Sequence, residues 1–208
     1  MILYRPVGLI ELRLIYESGL ERFPPRLPEQ PIFYPVLNLG YAEQIARDWN
    51  TMSPSRSGYV TRFEGDDCIR DLYEPHIVGA KEHAELWVPT EELDKFNSYI
   101  RPPIRIVSSF FAEDFKGFIP DRFMLGGKDA VGQFVALTQA LQYGSFDFGQ
   151  EVEANRTAVF LHYPFWSRRD FSPEGIPIAN RDRVLAAIDD RWIEGISRWH
   201  LAEIYKSL

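Results

Sequence analysis

The segment Lys81-Glu82-His83-Ala84-Glu85-Leu86-Trp87-Val88-Pro89 decides how the rest of this chain is read. Its alternation sets Leu86 and Val88 on one face of a short strand, and Glu85 and Trp87 on the other. The strand stops at Pro89. Thr90-Glu91-Glu92-Leu93 then opens a helix, with a hydroxyl residue at the cap and acids in the first turn. Glu85 therefore falls near a strand end, at a sheet edge, where a ligand reaches it.

Upstream, Ile2–Arg5 is expected to be a strand closed by Pro6, and Leu9, Leu12, Ile15, Tyr16 and Leu20 recur at helical spacing. Phe23 to Pro31 holds four prolines, which excludes regular helix and central strand and predicts an extended surface loop. Ile32–Leu37 is a strand candidate interrupted at Pro35. Tyr41, Ile45 and Trp49 mark a short amphipathic helix over Gly40–Trp49, and Tyr59–Phe63 alternates as a strand. One or two helical turns within 66–73 and a strand over His76–Val78 lead to the Glu85 strand. A helix over Glu91–Asn97 and a strand over Ile104–Val107 follow it. These short elements predict an α+β portion over residues 1–112, with two small, mostly antiparallel sheets around a cleft. Their spacing is too short for repeated parallel crossovers.

Past a boundary at Glu113-Asp114-Phe115-Lys116-Gly117, residues 113–208 read as a mixed, helix-rich accessory portion. It has a helix over Asp129–Gln142, an apolar strand over Thr157–Phe165, a loop over Ser172–Pro177, and helices over Arg183–Ile188 and Trp192–Tyr205. The cluster Phe160, His162, Tyr163, Phe165, Trp166, Arg168 and Arg169 reads as a buried strand followed by an exposed turn.

The 208 residues carry 23 basic and 30 acidic side chains, a net charge of -7, which argues against a surface built for nucleic-acid backbone. A hydrophobic content of 45% is ample for real cores, and no apolar run is long enough to span a membrane. The start Met1–Pro6 lacks the charged and apolar regions of a secretory signal. Cys68 is the only cysteine, so no internal disulfide forms, and the expected compartment is the cytoplasm. His76 and His83 sit on different predicted strands without a cysteine pair, so no metal site is expected. Gly126-Gly127-Lys128 lacks the rest of a phosphate-binding loop.

The order strand, helix, long loop, strand, helix, strand, then a Glu-bearing strand and its helix resembles the ADP-ribosyltransferase fold. Glu85 before an apolar run ending in Pro89 resembles that family's catalytic strand, with His83 where an acid or Gln often stands. Leu3-Tyr4-Arg5 resembles the first strand, which carries the Arg or His that holds the dinucleotide. Phe33-Tyr34, with a helix starting at Tyr41-Ala42, resembles the second motif. The Ser-Thr-Ser run of the Arg-dependent branch is not present, and Tyr34 stands where the His-Tyr-Glu branch has its Tyr. Leu-Tyr-Arg-Pro, Phe-Pro-Pro-Arg and Glu-Leu-Trp-Val-Pro together resemble a group of small bacterial proteins labelled ADP-ribosylation proteins.

The resemblance covers the first half of the chain. It implies a mono-ADP-ribosyltransferase, a glycosyltransferase-class enzyme that uses NAD as substrate and releases nicotinamide. Glu85 would be catalytic, and Arg5, Tyr34, Tyr4 and His83 would contact NAD. The acceptor (protein, nucleic acid or small molecule) stays open. The chemistry asks for such a set. Positive charge builds on the anomeric carbon, a carboxylate stabilises it, a guanidinium answers the diphosphate and an aromatic ring stacks on nicotinamide. Two rivals are a non-catalytic protein- or nucleotide-binding module on the same fold, and an RNA-processing phosphotransferase, which needs a larger basic cluster. Tyr59, Thr61 and Arg62 satisfy either a ligand-facing or a plain half-buried strand.

Overall fold

In the computed structural model, which describes residues 1–80, 82–144, 147–197 and 199–205, strand β1 (Ile2–Val7) starts the first of two units, Met1–Ala112 and Glu113–Leu208. Lys81 of the segment quoted above lies outside the described residues. Strand β1 runs through Pro6, at a sheet position where Val60 is its neighbour. Helix α1 (Leu9–Glu17) buries Leu9, Leu12 and Ile15, one residue per turn as the sequence spacing requires. The proline segment that follows is pinned from within. Phe23 is buried, its N–H donates to Asn97 Oδ1 at 2.9 Å, and its carbonyl accepts from Asn97 Nδ2 at 3.0 Å.

Strand β2 is only Ile32–Phe33. Helix α2 (Leu39–Asp48) begins at Asn38, whose side chain accepts the Tyr41 N–H. Strand β3 (Ser57–Gly65), the turn α3 (Ile69–Leu72) and the strands β4 (Pro75–Ile77), β5 (Ala84–Leu86) and β6 (Val88–Pro89) come next. The short helix α4 (Leu93–Asn97) and the long strand β7 (Ile100–Phe111) complete the unit.

Among the described residues every strand pair is antiparallel. The pairs form a three-stranded sheet β1-β3-β7 and two small pairs, β2-β6 and β4-β5. Single-residue bridges Tyr4↔Val36 and Val36↔Glu85 join the small pairs to β1. The partners Ile32↔Pro89, Phe33↔Val88 and Val36↔Glu85 share one register. Segments 32–36 and 85–89 are thus one ladder, broken in the middle. The reason is chemical: Pro35 has no N–H to donate, although its carbonyl still accepts the Leu86 N–H at 2.8 Å. This break reduces the expected strand over Ile32–Leu37 to two residues and a bridge.

One face of the sheet packs Phe23, Phe33, Phe63 and Phe96 together, with ring centroids 4.9 to 5.5 Å apart along the chain of contacts. The other face packs Val36, Val60 and Tyr4 under Tyr41, Ala42, Ile45 and Ala46 of α2. The helix comes so close to β3 that a Cβ on Gly58 would lie 1.9 Å from the Ala46 carbonyl oxygen.

The second unit is helical: α5 (Ala130–Gln142), α6 (Asp147–Ala154), α7 (Arg156–Arg168), α8 (Ile178–Gly195) and α9 (Leu201–Ile204). The strand expected over Thr157–Phe165 is instead α7, a correction with a clear cause. Ala158 through His162, Pro164 and Trp166 are all buried, so the helix shows no polar stripe. A short apolar run rich in aromatic and β-branched residues then looks the same in sequence as a buried strand. The two helices expected over 183–188 and 192–205 are corrected to the single α8 and a short α9. Arg198 lies outside the described residues.

Candidate functional site

Strand registers decide which side chains meet. Residues directly opposite one another in an antiparallel pair share a face of the sheet. Reading across, His76 pairs with Glu85, Glu85 with Val36, Val36 with Tyr4, Tyr4 with Arg62, and Arg62 with Arg105. This row therefore lies on one face, the one that α2 covers in part.

Glu85 stands in that row at 9% exposure. Its Oε1 accepts the indole N–H of Trp87 at 2.8 Å. The Trp87 ring stacks on His76 at 4.3 Å between centroids and meets Tyr34 edge-on at 6.2 Å. On the other side, Tyr41 from the first turn of α2 stacks on His83 at 4.1 Å. Burial, and then the negative charge of Glu85, hold the Tyr41 phenol above its ordinary range. Glu85 is thus a nearly buried carboxylate flanked by two aromatic stacks. Of the residues singled out in the sequence, Tyr34, Tyr4 and His83 come into its neighbourhood, by ring contact, by shared face and through Tyr41 respectively.

Arg5 does not. It follows Tyr4 along β1 and so points to the opposite face, and its contacts agree. Its Nε and Nη2 reach the two carboxylate oxygens of Glu11 at 3.2 and 3.4 Å, and its Nη1 donates to the Tyr34 carbonyl at 3.3 Å. The guanidinium lies 5.0 Å from the centroid of the Phe33 ring. Arg26 shares the same carboxylate at 3.5 Å and donates to Gln30 at 2.5 Å. Burial, with Arg5 next in weight, lowers the pKa of Arg26. A hollow of about 340 Å³ at the start of α1 lies on this side, walled by Leu9, Ile10, Leu14, Pro24, Pro25 and Leu27. The arginine expected to hold the dinucleotide is thus part of a partly buried three-residue ion network.

Comparison of the chain with family models, curated proteins and solved structures finds no match.

The site therefore rests on geometry. Tyr59 and Thr61 are buried, and the Thr61 hydroxyl donates to the Arg5 carbonyl at 2.9 Å. Arg62 alone of that trio faces the Glu85 side with part of its surface open; its Nη2 lies 3.4 Å from Glu64. His76, Tyr41 and Arg105 join Trp87, which the alternation already sets beside Glu85, in a neighbourhood that sequence reading did not assemble. The alternation of each strand was visible, but the register that lines the strands up was not. Among the described residues no group of three His, Cys, Asp or Glu side chains is placed to hold a metal ion, and no helix is long and apolar enough to cross a membrane. In the second unit Arg169 pairs with Glu174 at 2.8 Å and lies over the Phe165 and Phe171 rings, so it is engaged within the fold.

Such an arrangement has definite chemical uses. A carboxylate with little water around it interacts strongly with positive charge that develops beside it. Flat rings at its edges suit a planar heterocycle.

Proposed function

We propose that the first unit is the catalytic portion of a mono-ADP-ribosyltransferase with a split, mostly antiparallel ADP-ribosyltransferase-like sheet. It moves ADP-ribose from NAD to an acceptor and releases nicotinamide. The observation that carries this reading is Glu85, nearly buried between the Trp87–His76 and Tyr41–His83 stacks, on a strand bridged through Val36 to β1. Glu85 would stabilise the positive charge at the anomeric carbon as the glycosidic bond breaks. The exposed edge of Trp87, with Tyr34 against it, would seat the nicotinamide ring. Arg5 takes a structural part in this proposal, and the second unit is assigned acceptor recognition.

One observation favours a second reading, a non-catalytic nucleotide-binding module. The family's first-strand arginine is here committed to Glu11. Glu85→Gln separates the two. The change keeps size and hydrogen bonding but removes the charge, which matters most in the transition state. Transfer and NAD hydrolysis should fall by a factor on the order of a hundred, with NAD affinity and melting temperature nearly unchanged. The exposed Glu82→Gln serves as control. Near wild-type turnover in Glu85→Gln would sink the catalytic assignment. A parent protein that binds NAD without consuming it would favour the module.

A further inference from the structure

We infer that Arg62 and Arg105, on the central and last strands of the three-stranded sheet, form the diphosphate grip of this site; the inference rests on the NAD reading above. A dinucleotide substrate carries two negative charges one ribose away from the bond that breaks. A site for it needs cationic donors on the same face as the catalytic carboxylate. Arg5 fails that requirement twice: it faces away, and its guanidinium is engaged by Glu11 through Nε and Nη2 and by the Tyr34 carbonyl through Nη1.

The register supplies the replacement. Starting from Glu85, the row passes Val36 and Tyr4 and reaches Arg62, then Arg105. At about 4.8 Å per strand, Arg62 is about 14 Å from Glu85 between backbones, and Arg105 about 19 Å. Both side chains are long enough to close part of that gap. They sit side by side as a cross-strand pair, so two planar forks can address two phosphates with paired, charge-assisted hydrogen bonds.

Arg62 lies at the margin of the covered face. On the same face α2 packs over Val60, two residues back along β3, and over Val36 and part of Tyr4 in the row itself. Arg62 lies past that cover and keeps 25% of its side chain exposed. Among the described residues its ion pair is to Glu64, at 3.4 Å, and the Glu64 side chain is 48% exposed. A pair of that kind is worth little in water and exchanges readily for a phosphate. Arg105 is half-buried. Two like charges held as direct neighbours repel each other, and a bound dianion relieves that repulsion.

The test uses the full chain and three ligands: NAD, ADP-ribose and nicotinamide riboside, which lacks the diphosphate. Titration calorimetry on Arg62→Gln and Arg105→Gln should show Kd for NAD and ADP-ribose rising about tenfold or more for each, with nicotinamide riboside bound as by the parent. Arg62→Lys should restore part of the loss, because it keeps the charge without the fork. Melting curves check folding, and the exposed Arg70→Gln should match the parent throughout. If both Gln variants bind NAD like a parent that still consumes it, the grip is wrong while the enzyme reading stands. A parent that binds neither NAD nor ADP-ribose removes both. Equal losses for nicotinamide riboside would show that the arginines act on the fold and not on phosphate, and would overturn the grip.

Discussion

His162 occupies a place that only a neutral imidazole fits. It is fully buried, its Nε2 accepts the Phe118 N–H at 2.8 Å, and its Nδ1 donates to Gln133 Oε1 at 3.1 Å. The Gln133 amide in turn donates to the carbonyls of Phe118 and Lys128. Gly117 has a φ of +75°, and a Cβ there would lie 2.1 Å from the imidazole nitrogen. Burial pushes the His162 pKa down to about 3. An unfolded histidine titrates near 6.5, so between those two values the unfolded chain binds the extra proton. Its contribution is therefore whole above pH 6.5 and is lost progressively as pH falls toward 3, a change of a few kcal/mol at about 1.4 kcal/mol per unit. Denaturant midpoints of the full chain measured from pH 7.5 to 4.5 should fall, and His162→Gln, though less stable at neutral pH, should show a flatter profile. A parallel profile for the variant would assign the acid sensitivity elsewhere. Nothing in sequence announced this role, because the partners lie 29 and 44 residues away. Arg5 shows the complementary limit: its chemical type suited a phosphate ligand, while its face and its Glu11 partner came only with the fold.

Between elements, the closest approach is that of α2 to β3. Gly58→Ala would set a methyl group 1.9 Å from the Ala46 carbonyl oxygen and 2.9 Å from the Asn50 Cβ. The first obstacle is backbone and cannot rotate away. The expected cost is at least about 2 kcal/mol, read as a lowered denaturant midpoint. An unchanged midpoint would mean that α2 is free to lift from the sheet. Elements with a clear period were legible from sequence as helix or strand; α1 buries the face its spacing marks, while α2 buries Tyr41, Ala42 and Ala46 and leaves Trp49 exposed, and β3 is buried continuously from Ser57 to Thr61. Segment 32–37 was legible as extended, yet Pro35 prevented a full ladder. Helix α7 was misread because it is buried on nearly every side and so carries no amphipathic signature.

At the scale of the whole chain, each unit closes a core of its own. Phe23, Phe33, Phe63 and Phe96 interlock within residues 1–112. Phe134, Trp166 and Phe171 do so in the second unit, with Phe160, Trp192 and Tyr205. Residues 1–112 alone should therefore unfold cooperatively with a strand-rich circular dichroism spectrum; a gradual, non-cooperative melt would show that the first unit needs the second. The α+β class was readable from element lengths and order, because short strands leave no room for parallel crossovers. The row of facing side chains was not, because it depends on registers set across 9 to 58 residues of chain. One of those registers has a dynamic meaning. Two backbone hydrogen bonds, Tyr4 N–H to Val36 and Val36 N–H to Tyr4, and the Arg5 Nη1 donation to the Tyr34 carbonyl join the segment paired with Glu85 to β1. So short a seam is weaker than the continuous β1-β3 and β3-β7 ladders. A fluctuation that parts it carries β4, β5 and the carboxylate outward as one flap and leaves β1, β3 and β7 intact. Hydrogen exchange would record the event at the amides of Tyr4 and Val36 long before the central strand yields its own.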